Sequence, residues 1–313
     1  MLDKKENIII LGVKPEHEGM RLDRFISDGL KITRSQAQKL IDSGHVSIDE
    51  AMAKKNQKVK SGESLRIRIT KPEAEGLEPQ DIYIDIVHQD EHLIVINKPP
   101  GLVMYPAAGH SHDTLMNAVA FHAKEMASVG APLRPGVVHR LDKDTSGLVV
   151  IALRDDSYYS LQKQFKERTI TRKYLALVYR TMRNRSGSIN APIGRAISDR
   201  KKMSTRTRRA KAALTHYKVI KEFGDASLLE LVLATGRTHQ IRVHLSSSGH
   251  PVLGDRTYGK ITHLKAGSRT ISVPRQMLHA ETLGFVHPYT GQDIFFTSPL
   301  PEDMKGVISL LEE

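Results

Sequence analysis

The sequence predicts an α+β fold, a mostly antiparallel, mixed sheet with interspersed helices, preceded by a small N-terminal α/β module. Three observations carry this expectation. From Ile82 onward short strand-like runs predominate: IYIDIV, HLIVINK, GLVVIAL, TRKYLALVY, AALTHYKVI, ASLLELVLA and DIFFTS. The helical stretches among them, 114–122, 156–167 and 239–247, follow no βαβ rhythm, which argues against a doubly wound sheet. Ahead of them lies a separate patterned region, divided off by KPEAEGLEPQD at 71–81, which is rich in Pro, Gly and Glu and lacks apolar periodicity. The expected domains are therefore 1–75, with a short linker to 81, and 82–313.

Within the first region, Met20, Leu22, Phe25 and Ile26 recur at helical spacing. Thr33 and Gln36 fit an N-cap box for a second helix that turns Ala37, Leu40 and Ile41 inward and stops near Gly44. HVSID reads as a short strand and Ser61-Gly62 as a turn. Leu65, Ile67 and Ile69 then alternate with Arg66, Arg68 and Thr70, a half-buried strand with one basic face. The expected order is two helices followed by small strands.

Composition narrows the function classes. The 313 residues hold 47 Lys and Arg against 35 Asp and Glu, a formal charge of +12, which favours a polyanionic partner such as nucleic acid. The excess is local: residues 160–221 contain 18 Lys and Arg and only two acids, Glu167 and Asp199, so the remainder of the chain is net acidic. The densest part runs from Arg195 to Lys211. It reads either as a solvated loop or as an element that grips phosphates, with Arg206, Arg208 and Arg209 at its centre. Cysteine is absent, which excludes disulfides, thiolate metal sites, iron–sulfur clusters and cysteine nucleophiles. No apolar run approaches a membrane span and the N-terminus lacks a signal-peptide layout, so a cytoplasmic protein without a membrane partner is expected.

Several familiar motifs fail on inspection. Gly254 to Lys260 has the spacing of a phosphate-binding loop, but Ile261 stands where a Ser or Thr must reach magnesium. His88 with His92, and His110 with His112, lack further ligands in a zinc frame. There is no GxSxG elbow and no dinucleotide-binding glycine pattern. What remains is RPGVVHRLDKDTSGLVVIAL at 134–153, where a polar cluster of His139, Arg140, Asp142, Lys143, Asp144, Thr145 and Ser146 interrupts two apolar runs. Carboxylates at the end of buried strands are costly unless paired. The cluster is either a turn closed by side chains, with Gly147 at positive φ, or a loop that projects a carboxylate from a rigid scaffold. After the strand LLELVLA comes TGRTHQIRVHL, in which Gly236 suits a sharp turn and Thr238 a helix cap. Arg242 then leans back over the helix start, where it can pair with a carboxylate across a cleft.

HRLDKDTSGLVV, RKYLALV and LATGRTHQIRVHL, with NKPPGLVMYP and HPVLGDRTYG, together resemble the RluA family of RNA pseudouridine synthases over nearly all of 82–299. RLDRFI, TRSQAQKLIDSGHV and KVKSGESLRI resemble the S-four-type RNA-binding domain over about 18–69, which places the chain in the RluC/RluD-like branch. The resemblance implies that Asp142 is the catalytic aspartate, that Tyr174 is the active-site tyrosine acting at ring carbon five, and that Arg242 pairs with the aspartate. It implies that Arg140 fills the space left by an extruded base and that Leu245 or a neighbour lines the pocket. It points to His139, Arg237, Arg34 and Lys39, beside Ser35 and Gln36, as RNA contacts. The implied reaction breaks the nitrogen–sugar bond of a uridine, turns the base and rejoins it through carbon five, with no net redox change. The aspartate either attacks the anomeric carbon or removes a neighbouring sugar proton. Neither cofactor nor metal is expected. The expected partner is RNA, with large-subunit ribosomal RNA or a pre-ribosomal particle first and transfer RNA as the alternative, and the expected state is a monomer. An inactive RNA-binding assembly factor and a sugar-cleaving hydrolase using Asp142 and Asp144 are the rival classes. One departure from the family is the length and charge of the segment after Pro192-Ile193-Gly194-Arg195.

Overall fold

A computed structural model describes residues 7–30, 32, 34–49, 51–54, 56–69, 77–107, 111–197, 199, 202–266 and 269–313. The chain divides into two compact units, Met1–Glu75 and Gly76–Glu313. Among the described residues no helix is long and apolar enough to cross a membrane.

The smaller unit comprises β1 (Asn7–Gly12), α1 (Leu22–Leu30), α2 (Arg34–Asp42), β2 (Val46–Ile48), β3 (Ala51–Met52) and β4 (Ser64–Ile69). Its antiparallel sheet runs β1-β4-β2-β3. Leu22, Phe25 and Ile26 of α1 meet Ala37 and Ile41 of α2 over Val46, Ile48, Leu65 and Ile67, the periodic positions of each element. The structure differs from the sequence reading in placing a strand first. NIIILG has no period to read, because its apolar residues are continuous and Ile8 and Ile10 point outward. The proposed cap residue Thr33 lies outside the described residues, as do the side chains of Ser35, Gln36 and Lys39. Asp23 is fully buried, and Arg21, Arg34 and Gln38 all donate to it. These donors overcome its burial and hold the carboxyl well below the usual range.

The larger unit contains β5 (Asp85–Gln89), β6 (Leu93–Lys98), α3 (Leu115–His122), β7 (Ser146–Ala152), α4 (Asp155–Glu167), β8 (Thr171–Tyr179), β9 (Ser186–Asn190), β10 (Gly194–Arg195) and β11 (Met203–Ser204). It continues with β12 (Leu214–Glu222), β13 (Ala226–Leu233), α5 (Gln240–Ser247), β14 (His263–Ala266), β15 (Arg269–Ser272), β16 (Leu278–Val286), β17 (Asp293–Thr297) and α6 (Glu302–Glu312). Nine strands form one sheet in the order β5-β6-β7-β16-β8-β13-β12-β9, with β17 also on β16. Every pairing is antiparallel except β7 with β16. Residues 77–81 are not a free linker: Asn117 of α3 donates to the Glu78 carbonyl, and the Gln80 amide donates to the Asn117 carbonyl.

Alternation along the central strands sends side chains to two different cores. Ile94, Ile96, Val149 and Ile151 pack with Leu115, Met116 and Val119 of α3 and with Ile241 and Leu245 of α5. Leu93, Val95, Leu148 and Val150 pack on the other face with Leu161 and Phe165 of α4. Because both faces are covered, β7 is buried along its whole length and reads as a continuous apolar run. Gly147 begins that run at φ 107°, and a Cβ there would lie 2.2 Å from the Ala280 carbonyl oxygen of β16. Only glycine permits this junction, which fixes the loop just before it.

Candidate active site

The loop before β7, the inward face of β8 and the segment between β13 and α5 enclose a cleft of about 610 Å³. Asp142, Tyr174 and Arg242 all line it, as do His139, Arg140 and Arg237. The structure thus brings together six of the predicted residues that are distant in sequence. Arg34 and Lys39 belong to the smaller unit. Arg206, Arg208 and Arg209 sit on the basic segment outside the cleft lining.

The Asp142 loop is held by its backbone. The buried Lys98 ammonium donates to the carbonyls of Pro99, Leu102 and Lys143 at 2.8, 3.0 and 2.9 Å. The Gly101 amide donates to the same Lys143 carbonyl, and Arg275 donates to the Asp144 carbonyl. Burial lowers Lys98 to about 7, opposed by Asp144 and Asp142. Three carbonyl acceptors need three N–H donors, so the geometry favours the charged form. With the Lys143 and Asp144 carbonyls pinned in this way, the loop holds Asp142 in the cleft lining.

Arg242 bridges two carboxylates. Its Nη1 donates to Asp142 Oδ2 at 2.8 Å, while Nε and Nη2 donate to Asp255 Oδ2 and Oδ1 at 2.8 and 3.0 Å. Asp255 is buried and also accepts the amides of Thr257 and Tyr258. Burial works against charge on both partners, but the Asp255 and Asp142 contacts outweigh it and hold Arg242 ionised. Sequence reasoning missed Asp255. Its only signal is an Asp in the GDRTYG turn, within a segment that resembles the family but to which the resemblance assigned no role.

The start of α5 also differs from expectation. Thr238 is not the cap; the N-cap is His239, in the left-handed region at φ 54° and with no side-chain cap bond. The Gln240 side chain instead ties the turn before α5 to β12. Its Oε1 accepts the Arg237 amide and the Thr235 hydroxyl, and its Nε2 donates to the Leu214 carbonyl and Thr215 Oγ1. Gly236 lies against the Arg172 guanidinium, since a Cβ there would stand 2.9 Å from Nη1.

Tyr174 is buried in β8, between Leu231 of β13 and Ala280 of β16. Burial pushes its phenol up, Arg172 opposes, and the Asp142 charge adds to the rise. A phenol that keeps its proton suits a weak acid or, after transfer, a strong base. His139 is bound to the scaffold: its Nε2 accepts the Val150 amide at 3.0 Å and its ring lies 4.8 Å from Phe165. Burial and Arg172 lower it to about 3, so it is a neutral wall of the cleft and not a cation for phosphate. Arg140 is exposed; it donates to the Tyr105 hydroxyl at 2.8 Å and lies over that ring at 5.4 Å. Arg237 donates to the Ala212 carbonyl. Leu245 is buried in the core beneath the cleft.

The basic segment is built as a small hairpin, β10 against β11. Ile193 and Lys211 exchange backbone bonds at its base, and Thr207 donates to the Arg195 carbonyl. Arg206, Arg208 and Arg209 are exposed on it. The hairpin is tied to the site, because the Met203 amide donates to the Tyr258 hydroxyl.

Comparisons with known proteins identify the family. A family model described as RNA pseudouridylate synthase matches residues 92–247, and one described as the S4 domain matches 20–65. A Bacillus subtilis protein named as an uncharacterized RNA pseudouridine synthase is 40% identical, over 98% of this chain and 99% of its own. A Zymomonas mobilis protein named ribosomal large subunit pseudouridine synthase D is 41% identical, over 94% of each chain. Among solved structures, human RNA pseudouridylate synthase domain containing 1 is 26% identical with a TM-score of 0.55, covering 74% of this chain and 96% of its own. On the strength of these relatives and of the site they span, the chain belongs to the RNA pseudouridylate synthase family and is an isomerase that acts on RNA.

Proposed function

We propose that the chain isomerises uridines of large-subunit ribosomal RNA and that Asp142 is the carboxylate that acts on the sugar. The observation that carries the site assignment is the division of labour at Asp142. Its Oδ2 is taken by Arg242, itself fixed by Asp255, which leaves Oδ1 as the oxygen directed to a reacting sugar. The acting oxygen either bonds to the anomeric carbon or takes a proton from the adjacent sugar carbon, and in both cases the nitrogen–sugar bond breaks. The base turns within the cleft and bonds to the sugar through carbon five, as the aspartate–sugar bond breaks or the aspartate returns the proton to the sugar carbon; carbon five then loses its proton and the freed ring nitrogen gains one. Tyr174 walls the cleft beside Asp142, and we assign it that proton, taken directly or through water. A uridine in structured RNA must be extruded to enter a cleft of this size. Arg140, exposed at the rim, supplies a planar head to occupy the vacated stack.

The substrate reading rests on the relatives named for the ribosomal large subunit, from Zymomonas mobilis, Nitrosomonas europaea and Pseudomonas aeruginosa. The exposed arginines of the basic hairpin support it, since a large folded RNA offers many phosphates. The test is to incubate the protein separately with large-subunit ribosomal RNA, small-subunit ribosomal RNA and transfer RNA, each tritiated at carbon five of uridine. Tritium release from large-subunit RNA alone is expected, with free RNA and pre-ribosomal particles compared. Release from transfer RNA alone would replace this substrate by the alternative.

A further inference from the structure

The face of Asp142 away from Arg242 is also built. His239 Nε2 lies 3.6 Å from Asp142 Oδ1, too far for a hydrogen bond but adjacent to the oxygen left for the substrate. On the other side of the ring, His239 Nδ1 lies 2.7 Å from the Tyr258 hydroxyl. That hydroxyl oxygen accepts the Met203 amide at 2.9 Å, and the Tyr258 ring lies under the Arg242 guanidinium at 5.0 Å. An amide can only donate, so the phenol's own proton is free to be given, and Nδ1 is its partner among the described residues. The remaining imidazole proton is then on Nε2, the nitrogen beside Asp142.

The backbone conformation at His239 supports a role in the site. Residues other than glycine rarely adopt φ 54°, and this one caps no helix amide with its side chain. A fold that needed only the turn would be better served by glycine or asparagine.

We propose that His239 is a positioning residue for Asp142 and that Tyr258 fixes its tautomer. The Nε2–H bounds the space around Oδ1 and orients the carboxylate toward the sugar, and Tyr258 links this pair to the backbone of the basic hairpin. The inference rests on Asp142 being the acting carboxylate. It has a pH consequence. The groups facing His239 are Asp142, Arg242, Arg140, Asp255 and Tyr258; burial and the two arginines disfavour the imidazolium, while the two aspartates favour it. While Tyr258 donates to Nδ1, a second proton has no place to bind. Removing the Tyr258 hydroxyl frees Nδ1, so protonation occurs at higher pH and places a cation against Oδ1.

The test compares wild type with Tyr258→Phe, His239→Gln, His239→Ala and Asp142→Asn, using tritium release from uridine-labelled total cellular RNA. Tyr258→Phe keeps the ring over Arg242 and removes one oxygen. The expected result is a kcat lower by about 10- to 100-fold with KM nearly unchanged, and an acid limb of the kcat profile displaced to higher pH. His239→Gln, whose amide N–H replaces Nε2–H, is expected to retain at least about tenfold more activity than His239→Ala. Thermal melting of each variant accompanies the kinetics. Tyr258→Phe with wild-type kcat and pH profile overturns the proposal. So does a loss of kcat that follows a lowered melting temperature with an unmoved acid limb, or equal activity in His239→Gln and His239→Ala. If Asp142→Asn itself retains activity, the site assignment fails first; if Asp142→Asn is inactive while Tyr258→Phe matches wild type, this inference alone fails.

Discussion

Replacing Arg242 with methionine would leave two carboxylates facing each other across the space of a lost cation. Asp255 would lose two bonds, at 2.8 and 3.0 Å, and Asp142 one at 2.8 Å. Methionine fills part of the aliphatic volume but donates nothing. Removing one partner of a buried ion pair costs about 3–5 kcal/mol. Asp255 keeps the amides of Thr257 and Tyr258, so the low end, about 3 kcal/mol, is expected. In a unit of this size that lowers Tm by about 6–12 °C. The pH dependence has a definite sign. In the wild type burial would raise the Asp255 carboxyl, but the Arg242 bonds and charge, with the two amides, hold it below its ordinary value. Its contribution is therefore present above the unfolded carboxylate pKa and lost as pH falls through the folded one. Without Arg242 burial dominates and the carboxyl rises, so the mutant's deficit shrinks on acidification. Thermal melts of the larger unit followed by circular dichroism at about pH 7 and about pH 5 measure both effects. Adding Asp255→Asn to Arg242→Met should recover part of the loss. A fall in Tm below about 3 °C, a deficit that widens at acid pH, or a double variant less stable than the single one would refute the reasoning.

Three further outcomes follow from the same structure. Tyr174→Phe should lower tritium release by about 100-fold or more while Tm stays within about 2 °C, because only the hydroxyl is removed; activity close to wild type would exclude the phenol from proton transfer. Changing Arg206, Arg208 and Arg209 together to Gln should weaken RNA binding and flatten the slope of log affinity against log salt by about 2, and an unaltered slope in filter binding would remove the hairpin from the RNA interface. Gly147→Ala should cost more than about 3 kcal/mol or abolish soluble protein, since the new methyl meets the Ala280 carbonyl; a wild-type melting curve would contradict the tight junction of β7 with β16.

The parts of the fold that could be read from sequence are those whose period is undisturbed. β6, β7, β8 and β13 stand out as apolar runs because both faces are covered, and α4 and α5 lie within a residue of their expected limits. The central strand β16 was not legible. Its residues LHAETLGFV mix His279, Glu281 and Thr282 into the run, and a bulge between Ala280 and Thr282 breaks the alternation. Helix α6 went unread although Met304, Val307, Ile308 and Leu311 follow helical spacing, because Gly306 interrupts a short terminal stretch. In the site, Arg242 in the first turn of α5 could be read as a partner for a carboxylate, and the family resemblance named Asp142 as that carboxylate. Asp255, Lys98 and the His239–Tyr258 contact could not. Each acts through a turn or a carbonyl whose position is set by the sheet, and no local pattern records that.

The central claim is that one carboxylate, Asp142, breaks and remakes the bond between uracil and its sugar without releasing the base. The most direct test is RNA tritiated at carbon five of uridine, with tritium release and free uracil measured together for wild type and Asp142→Asn at matched folding. Tritium release by wild type with no free uracil, and no tritium release by Asp142→Asn, is the predicted result. Tritium release by Asp142→Asn at the wild-type rate, or free uracil from the wild type, would contradict it.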